Sequence, residues 1–272
     1  MINILFGGNE KVFDGLLLCL LSMSQQSSEA LNIYILTADV SEINLSFKPI
    51  NDEQTQILSN VVKQKNPLSQ VTKIVLGKDF NQWINSSKNK FNSYTPFAFL
   101  RLFADTIENL PKKIIYLDTD IMINGDIKEL FDIDISNHEL GIVLDRYGHF
   151  FIRPKYFNSG MLLMNMEKIK QSKLLEKVKD FCTKKKMAFP DQSALNKCCK
   201  SKLYLPRKFN EQGKLKKNTI VHHFSKKIKW FPFFHTINVK PWQIDSVHKK
   251  YKCYAYDEIY DKYKKITNTH NL

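Results

Sequence analysis

Asp118 and Asp120, two residues apart, interrupt an apolar run that extends from position 114 to position 123. The flanking Ile, Tyr, Leu and Met residues read as a buried strand of a parallel sheet, on which residues two apart face the same way. Two carboxylates so placed repel each other, and burying them unpaired is costly. A divalent cation resolves both difficulties. An Asp-x-Asp pair closing a hydrophobic strand suits a hard metal whose remaining positions are filled by phosphate oxygens. The plain structural alternative is a strand-to-turn junction in which Asp120 caps the next element and Asp118 pairs with a lysine. The tripeptide alone leaves both open.

The elements that would position these residues can be read from hydrophobic patterning. Residues 2–6 form a short apolar strand ending in Gly7-Gly8-Asn9, where two glycines let the backbone approach a ligand closely. A mostly buried helix over 12–23, a strand over 31–36, an amphipathic helix over 51–63 and a strand over 71–76 come next. This βαβαβ order predicts an α/β protein with a mainly parallel central sheet flanked by helices. A helix over 94–107 is opened by Thr95-Pro96. It carries Arg101 among apolar neighbours, either as a residue of a half-buried surface or as a cation aimed at a diphosphate. The strand over 141–144 ends in Asp145.

In open α/β sheets ligands collect beyond the carboxyl ends of strands. Asn9, Asp118, Asp120 and Asp145 are therefore expected to converge. A glycine-containing turn and strand occupy 157–165, and a lysine-rich amphipathic helix 167–181. Asp191 reads as the N-cap of a helix starting at Pro190. Beyond 205 the chain becomes irregular and basic, and a polar helical tail closes it. The expected organisation is one domain over 1–242 and a tail over 243–272.

Composition bounds the partners. The chain has 272 residues, 43% of them hydrophobic, enough for a full core. No apolar stretch is long enough to span a bilayer, and the first residues read as a strand rather than a secretory leader. Five cysteines with no metal-ligand spacing suggest reduced thiols and a cytoplasmic protein. The net charge of +14 is uneven: 13 basic against 18 acidic residues leave −5 over 1–150, and 28 against 9 leave +19 over 151–272. A basic second half points to anionic partners such as nucleotide phosphates or a phospholipid face, with a solvated lysine coat as the simpler account of each lysine run.

Several blocks in this order resemble glycosyltransferase family 8, retaining enzymes with a GT-A type nucleotide-sugar-binding fold. They are the segment 113–120 ending in Asp118-Thr119-Asp120, Phe157-Asn158-Ser159-Gly160 with the strand after it, Asp191-Gln192-Ser193, and Leu100-Arg101-Leu102. The resemblance covers roughly 2–242. It implies that Asp118, Asp120 and a late histidine hold Mn²⁺, with Mg²⁺ as the other candidate.

His223 is the first choice for that histidine and His235 the second. In the family a Lys before Pro-Trp stands six residues on. Lys229 is six after His223 but without the proline, whereas Lys240-Pro241-Trp242 occurs further along. The resemblance also implies a nucleotide-binding set of Phe6, Gly7, Gly8, Asn9, Asp118, Thr119 and Lys229. Donor-sugar contacts would come from Arg101, Asp145, Asn158 and Asp191, with Asp191 and Gln192 beside the reacting carbon. Asn9 replaces an aspartate that reads uracil, Val12 replaces an aromatic, and Lys226 stands where a glycine is usual.

The implied reaction is metal-dependent transfer of galactose or glucose from a UDP-sugar to a glycan or lipid-linked saccharide acceptor. The implied location is cytoplasmic, with peripheral contact at the anionic inner membrane face and no nucleic acid as partner. Two other classes share some of these features. A nucleotidyltransferase would need a basic glycine-rich loop after the first strand, and Gly7-Gly8-Asn9-Glu10 lacks the basic residue. A non-enzymatic polyanion binder would leave Asp118 and Asp120 unexplained.

Overall fold

In the computed structural model the described residues are 1–90, 95–229 and 235–270. The chain runs β1 (Ile2–Gly7), α1 (Phe13–Gln26), β2 (Leu31–Ala38), α2 (Asp52–Lys65), β3 (Gln70–Leu76), α3 (Lys78–Ser86), a 3₁₀ helix (Pro96–Thr106), β4 (Lys113–Leu117) and β5 (Ile121–Ile123). Then come α4 (Lys128–Phe131), β6 (Leu140–Leu144), α5 (Gly148–Phe151), β7 (Phe157–Asn165), α6 (Met166–Ser172), α7 (Leu174–Lys184), α8 (Pro190–Cys198) and β8 (Lys202–Tyr204). The last elements are β9 (Val221–His223), β10 (Lys227–Lys229), β11 (His235–Ile237), α9 (Ile244–Ser246) and α10 (Asp257–Thr269).

Seven strands form the central sheet in the order β3-β2-β1-β4-β7-β6-β8. All pairings are parallel except those of β7, which runs antiparallel to both β4 and β6. The mainly parallel α/β sheet expected from the sequence is present. Alternation along the strands divides the core between its two faces. Ile4, Phe6, Ile115 and Leu117 join α1 and α10 on one side. Leu5, Ile114, Tyr116 and Leu162 join the 3₁₀ helix, α7 and α8 on the other. On α10, Ile259 and Tyr260 are buried in the first of these clusters. The Tyr263 hydroxyl donates to Asp14 of α1 at 2.8 Å.

The antiparallel course of β7 decides where the site forms. Leu117 at the end of β4 pairs with Met161 near the start of β7. The carboxyl ends of β1, β4 and β6 and the amino end of β7 therefore share one edge. Gly7-Gly8-Asn9, Asp118, Asp145 and Asn158-Ser159-Gly160 meet there.

Four local expectations are corrected. The run over 114–123 is two strands in different sheets, because the backbone around the aspartates has already changed partners. Asp118 N donates to Gly160 O at 2.7 Å, and Phe224 N donates to Asp120 O at 2.9 Å. The helix carrying Arg101 is 3₁₀, with Thr95 as its cap, and position 94 lies outside the described residues. The lysine-rich helix is broken at Lys173, whose φ of 55° ends α6 and starts α7 in a new direction. Asp191 is not a cap: Phe189 holds that position, and Asp191 lies in the first turn of α8.

The five cysteines are unpaired with one another. Burial pushes the Cys199 thiol up to about 12, so it stays protonated. No helix among the described residues is long and apolar enough to cross a membrane.

Candidate active site

The turn 118–120 is held from two sides. A Cβ on Gly15 of α1 would lie 2.3 Å from the Thr119 carbonyl oxygen, so glycine there lets the helix press against the turn. From the other side β9 pairs with β5, placing His223 opposite Ile121. Among the described residues, Asp118, Asp120 and His223 form a group whose ligand atoms all lie within 4.8 Å of one another. His223 Nε2 is 3.1 Å from Asp120 Oδ1 and 3.9 Å from Asp118 Oδ2.

Two carboxylates and an imidazole are a donor set that a divalent transition ion accepts. The surrounding packing leaves room for it. A Cβ on Gly160 would stand 2.2 Å from His223 Cε1 and 2.7 Å from Asp118 Oδ2. Gly160→Ala is therefore expected to weaken divalent-metal binding more than about tenfold and to cost about 1–3 kcal/mol of stability. Calorimetric titration and thermal melting read the two effects separately.

The His223 ring is oriented from behind. Its Nδ1–H faces Asn210 Oδ1 at 3.1 Å, which turns Nε2 toward the carboxylates. Asn210 in turn donates to Asn158 Oδ1 at 2.9 Å. Asn158 Nδ2 donates to Asp145 Oδ2 at 3.1 Å and to Gln192 Oε1 at 3.2 Å. One chain of amides thus joins the metal-ligand group to the residues expected to hold a sugar. Gln192 Oε1 also accepts from Ser159 N at 3.0 Å.

Arg101 is the central cation, with its side chain only 5% exposed. Nη2 lies 3.1 Å from Asp118 Oδ1 and 3.2 Å from Asp191 Oδ2, and the guanidinium stacks 4.2 Å from the Tyr116 ring centroid. Burial works against its charge, but Asp118, Tyr116 and Asp191 outweigh burial and hold it firmly protonated. Burial raises the Asp191 carboxyl above the usual range despite Arg101. Arg101 is not the residue of a half-buried surface: its contacts make it a buried clamp on two carboxylates.

Asp120 is held between two cationic groups. Burial opposes its charge, yet Lys240 and His223 hold its carboxylate well below the ordinary range. Lys240 Nζ stands 2.5 Å from Asp120 Oδ2. Burial lowers the His223 pKa, but Asp120 and then Asp118 more than reverse this, leaving it above the ordinary value.

These directions fix a stability window for the metal-free protein. The Asp120 contribution is present above its unfolded value near 3.8 and lost as pH falls through the depressed folded one. The His223 contribution is complete below 6.5 and lost as pH rises through the elevated folded value. Melting temperature in a chelator is expected to peak between those limits. A saturating divalent metal should move the optimum upward, because an ion at this group needs a neutral imidazole. Scanning fluorimetry across pH, with and without metal, checks both.

Of the remaining sequence expectations, Asn9 is buried at the end of β1, and its side chain makes no capping bond. The Phe6 ring is fully buried in the core, so its backbone is what can face a ligand. Lys229 ends β10, and neither its side chain nor Trp230 lies within the described residues. His235 is exposed in β11 and is not a member of the group formed by Asp118, Asp120 and His223. Lys240, Asn210 and Tyr116 were not among the expected site residues. Lys240-Pro241-Trp242 was visible as a segment, but it lies seventeen residues after His223, beyond a β10–β11 hairpin. No sequence pattern marks Asn210.

A mainly parallel sheet with an Asp-x-Asp turn and a facing histidine at its ligand edge defines a GT-A type fold, and solved structures agree. An active-site mutant of LgtC superposes with a TM-score of 0.72 at 14% identity, over 98% of this chain and 96% of that one. GlyE of Streptococcus pneumoniae gives 0.64 at 19% identity, over 96% and 63%.

The chain belongs to glycosyl transferase family 8, whose family model matches residues 3–246. In sequence it is 28% identical over 177 residues to lipopolysaccharide 1,2-glucosyltransferase of Escherichia coli, covering 57% of this chain and 52% of that one. It is 32% identical over 167 residues to glycosyltransferase GlyB of Streptococcus pneumoniae, covering 55% and 39%. The chain spans less than two thirds of the length of these relatives.

Proposed function

We propose that this chain is a retaining hexosyltransferase that moves galactose or glucose from a UDP-sugar to a saccharide acceptor with the help of Mn²⁺. The observation that carries this reading is the convergence of Asp118, Asp120 and His223 with Asp145, Asn158, Asp191 and Gln192 on one sheet edge. A divalent ion at the first three would neutralise charge on the donor diphosphate. Lys240, on a flexible stem beside Asp120, can turn to a diphosphate oxygen and supports the charge that develops there. Gly7, Gly8 and Asn9, at the carboxyl end of β1, would line the nucleotide, with Asn9 offered to the base.

The residues near the sugar argue against a covalent glycosyl-enzyme. Gln192 Oε1 is committed to Ser159 N and Asn158, and Asp191 is committed to Arg101. Gln192 is an amide and a poor nucleophile, and the Asp191 oxygen nearest Arg101 is held in an ion pair, which favours the front-face reaction that the family resemblance implies. The acceptor hydroxyl therefore approaches C1 on the face the diphosphate leaves. Its oxygen forms the new bond, the C1–O bond to phosphate breaks with its electron pair on the diphosphate, and the hydroxyl proton passes to that leaving oxygen. Asp145, whose Oδ1 accepts from Tyr147 N and Gly148 N at 3.0 and 2.7 Å, is rigidly placed to orient sugar hydroxyls.

Thermal melting with UDP, with Mn²⁺ and with both tests this reading. Joint stabilisation well beyond either alone is expected, about 2.7 kcal/mol at a hundredfold excess over Kd. No joint effect would remove the transferase reading; where the joint effect is seen, a donor-hydrolysis screen across nucleotide sugars identifies the hexose. The +19 charge of residues 151–272 supports peripheral contact with anionic membrane. Absence of pelleting with anionic vesicles at physiological salt would end that part.

A further inference from the structure

An open cleft of about 540 Å³ lies beside the proposed donor pocket, and none of the chemistry above uses it. It adjoins that pocket through two short links. Arg146 is the residue after Asp145, and the carbonyl of Glu211 accepts from His223 N at 3.0 Å. Its wall carries three permanent cations, Arg146, Arg207 and Lys216, against a single carboxylate, Glu211.

Glu211 is 2% exposed and fully engaged. Oε1 accepts from Gly213 N at 2.8 Å and lies 3.8 Å from Arg146 Nη1, while Oε2 is 3.2 Å from Lys216 Nζ. One buried carboxylate among three cations leaves a surplus of positive charge inside a concave surface.

Just behind this wall, out of reach of solvent, two donors are left unsatisfied. Arg207 Nη1 and Gln212 Nε2 are buried without a hydrogen-bond partner among the described residues. Gln212 is 3% exposed, and its Oε1 accepts from Arg146 N at 2.7 Å. A buried donor without an acceptor is costly, and guanidinium groups match phosphate oxygens in geometry as well as charge.

The local backbone is fitted around Arg146. A Cβ on Gly213 would fall 1.8 Å from Arg146 Nη1 and 2.8 Å from Glu211 Oε1. At the rim, Phe150 and Phe151 of α5 are 74% and 63% exposed, offering aromatic faces next to the cations.

We propose that this cleft seats a phosphate group carried by the acceptor, so that the acceptor class is a phosphate-bearing saccharide rather than a neutral one. The word acceptor rests on the transferase reading above; the anion chemistry of the cleft stands apart from it.

Glucose 6-phosphate and glucose serve as paired probes on the full chain, by calorimetric titration with and without saturating UDP and Mn²⁺. Binding of glucose 6-phosphate but not glucose is expected, unchanged by the nucleotide and falling as salt rises. Arg207→Gln should weaken it at least about tenfold, the loss of a buried charged donor. Gly213→Ala, which displaces Arg146 and leaves Arg207 in place, should weaken it several-fold while melting at the wild-type temperature.

Equal behaviour of the two sugars, or wild-type affinity in both variants, overturns the proposal. So does a lipid source of the phosphate: pelleting with phosphatidylglycerol vesicles that Arg207→Gln abolishes, with no binding of glucose 6-phosphate. If UDP and Mn²⁺ stabilise jointly while glucose 6-phosphate fails, this inference falls alone. If the sugar phosphate binds while UDP and Mn²⁺ fail together, the transferase reading falls and the anion site remains.

Discussion

Asp120→Asn is expected to abolish turnover while the protein stays folded. The asparagine is nearly isosteric, but it removes the charge that His223 and Lys240 both approach, at 3.1 and 2.5 Å. Without that carboxylate the metal-ligand group loses one of its two anions. The proposed hydrolysis or transfer activity should fall by about 10³-fold or more, the scale on which loss of a preorganised electrostatic group acts. Stability should change by only about 1–2 kcal/mol. Lys240 has 27% of its side chain exposed and can turn to water, and His223, released from its carboxylate, can become neutral. Mn²⁺-dependent UDP release and thermal melting on the same sample separate activity from folding. Full metal-dependent activity in this variant would refute the metal assignment.

Arg101→Met is expected to have the largest effect on stability. Its guanidinium neutralises Asp118 and Asp191 together, donates to the Ser159 carbonyl at 2.5 Å and covers the Tyr116 ring. Methionine fills much of the same volume and leaves buried Asp191 without a cation and Asp118 with only His223, 3.9 Å away. Stranding a buried charge in this way costs about 3 kcal/mol or more. For a chain of this size that is a fall in Tm on the order of 8 °C. Asp191, whose carboxyl burial already raises, should then bind a proton more readily in the folded state. The deficit should therefore shrink as pH falls, because protonation relieves the repulsion. Arg101→Lys should be intermediate, keeping the charge but losing the fork that reaches both acids. Melting of the methionine variant at the wild-type temperature would show that Arg101 is not the clamp described.

Sequence and structure agree where chemistry is written in short contiguous blocks. The turn at Asp118 and Asp120, the Asn158-Ser159-Gly160 segment and Asp191-Gln192 each sit within one element or at its end, and local pattern locates them. The parallel sheet was legible because β1, β2 and β3 alternate with helices of clear period. The hidden features depend on pairing between distant segments. β5 separates from β4 because its partner is β9, a hundred residues later, which no local pattern around Ile121 reveals. Lys240 was concealed by spacing, since Lys229 occupies the expected distance from His223 while the hairpin carries the chain onward to Lys240. Asn210 orients His223 from outside any recognisable block, and only the folded chain brings its amide to Nδ1. Asp191 looked like a cap because aspartate often is one near a helix start. Its side chain instead turns inward to Arg101.

Anomalous diffraction at the manganese edge, from crystals grown with UDP and Mn²⁺, bears most directly on the whole account. The expected result is a peak bounded by the carboxylates of Asp118 and Asp120 and by His223 Nε2, with Lys240 swung from Asp120 toward the diphosphate. Crystals that bind UDP, show no peak among those three residues and keep Lys240 on Asp120 would contradict it.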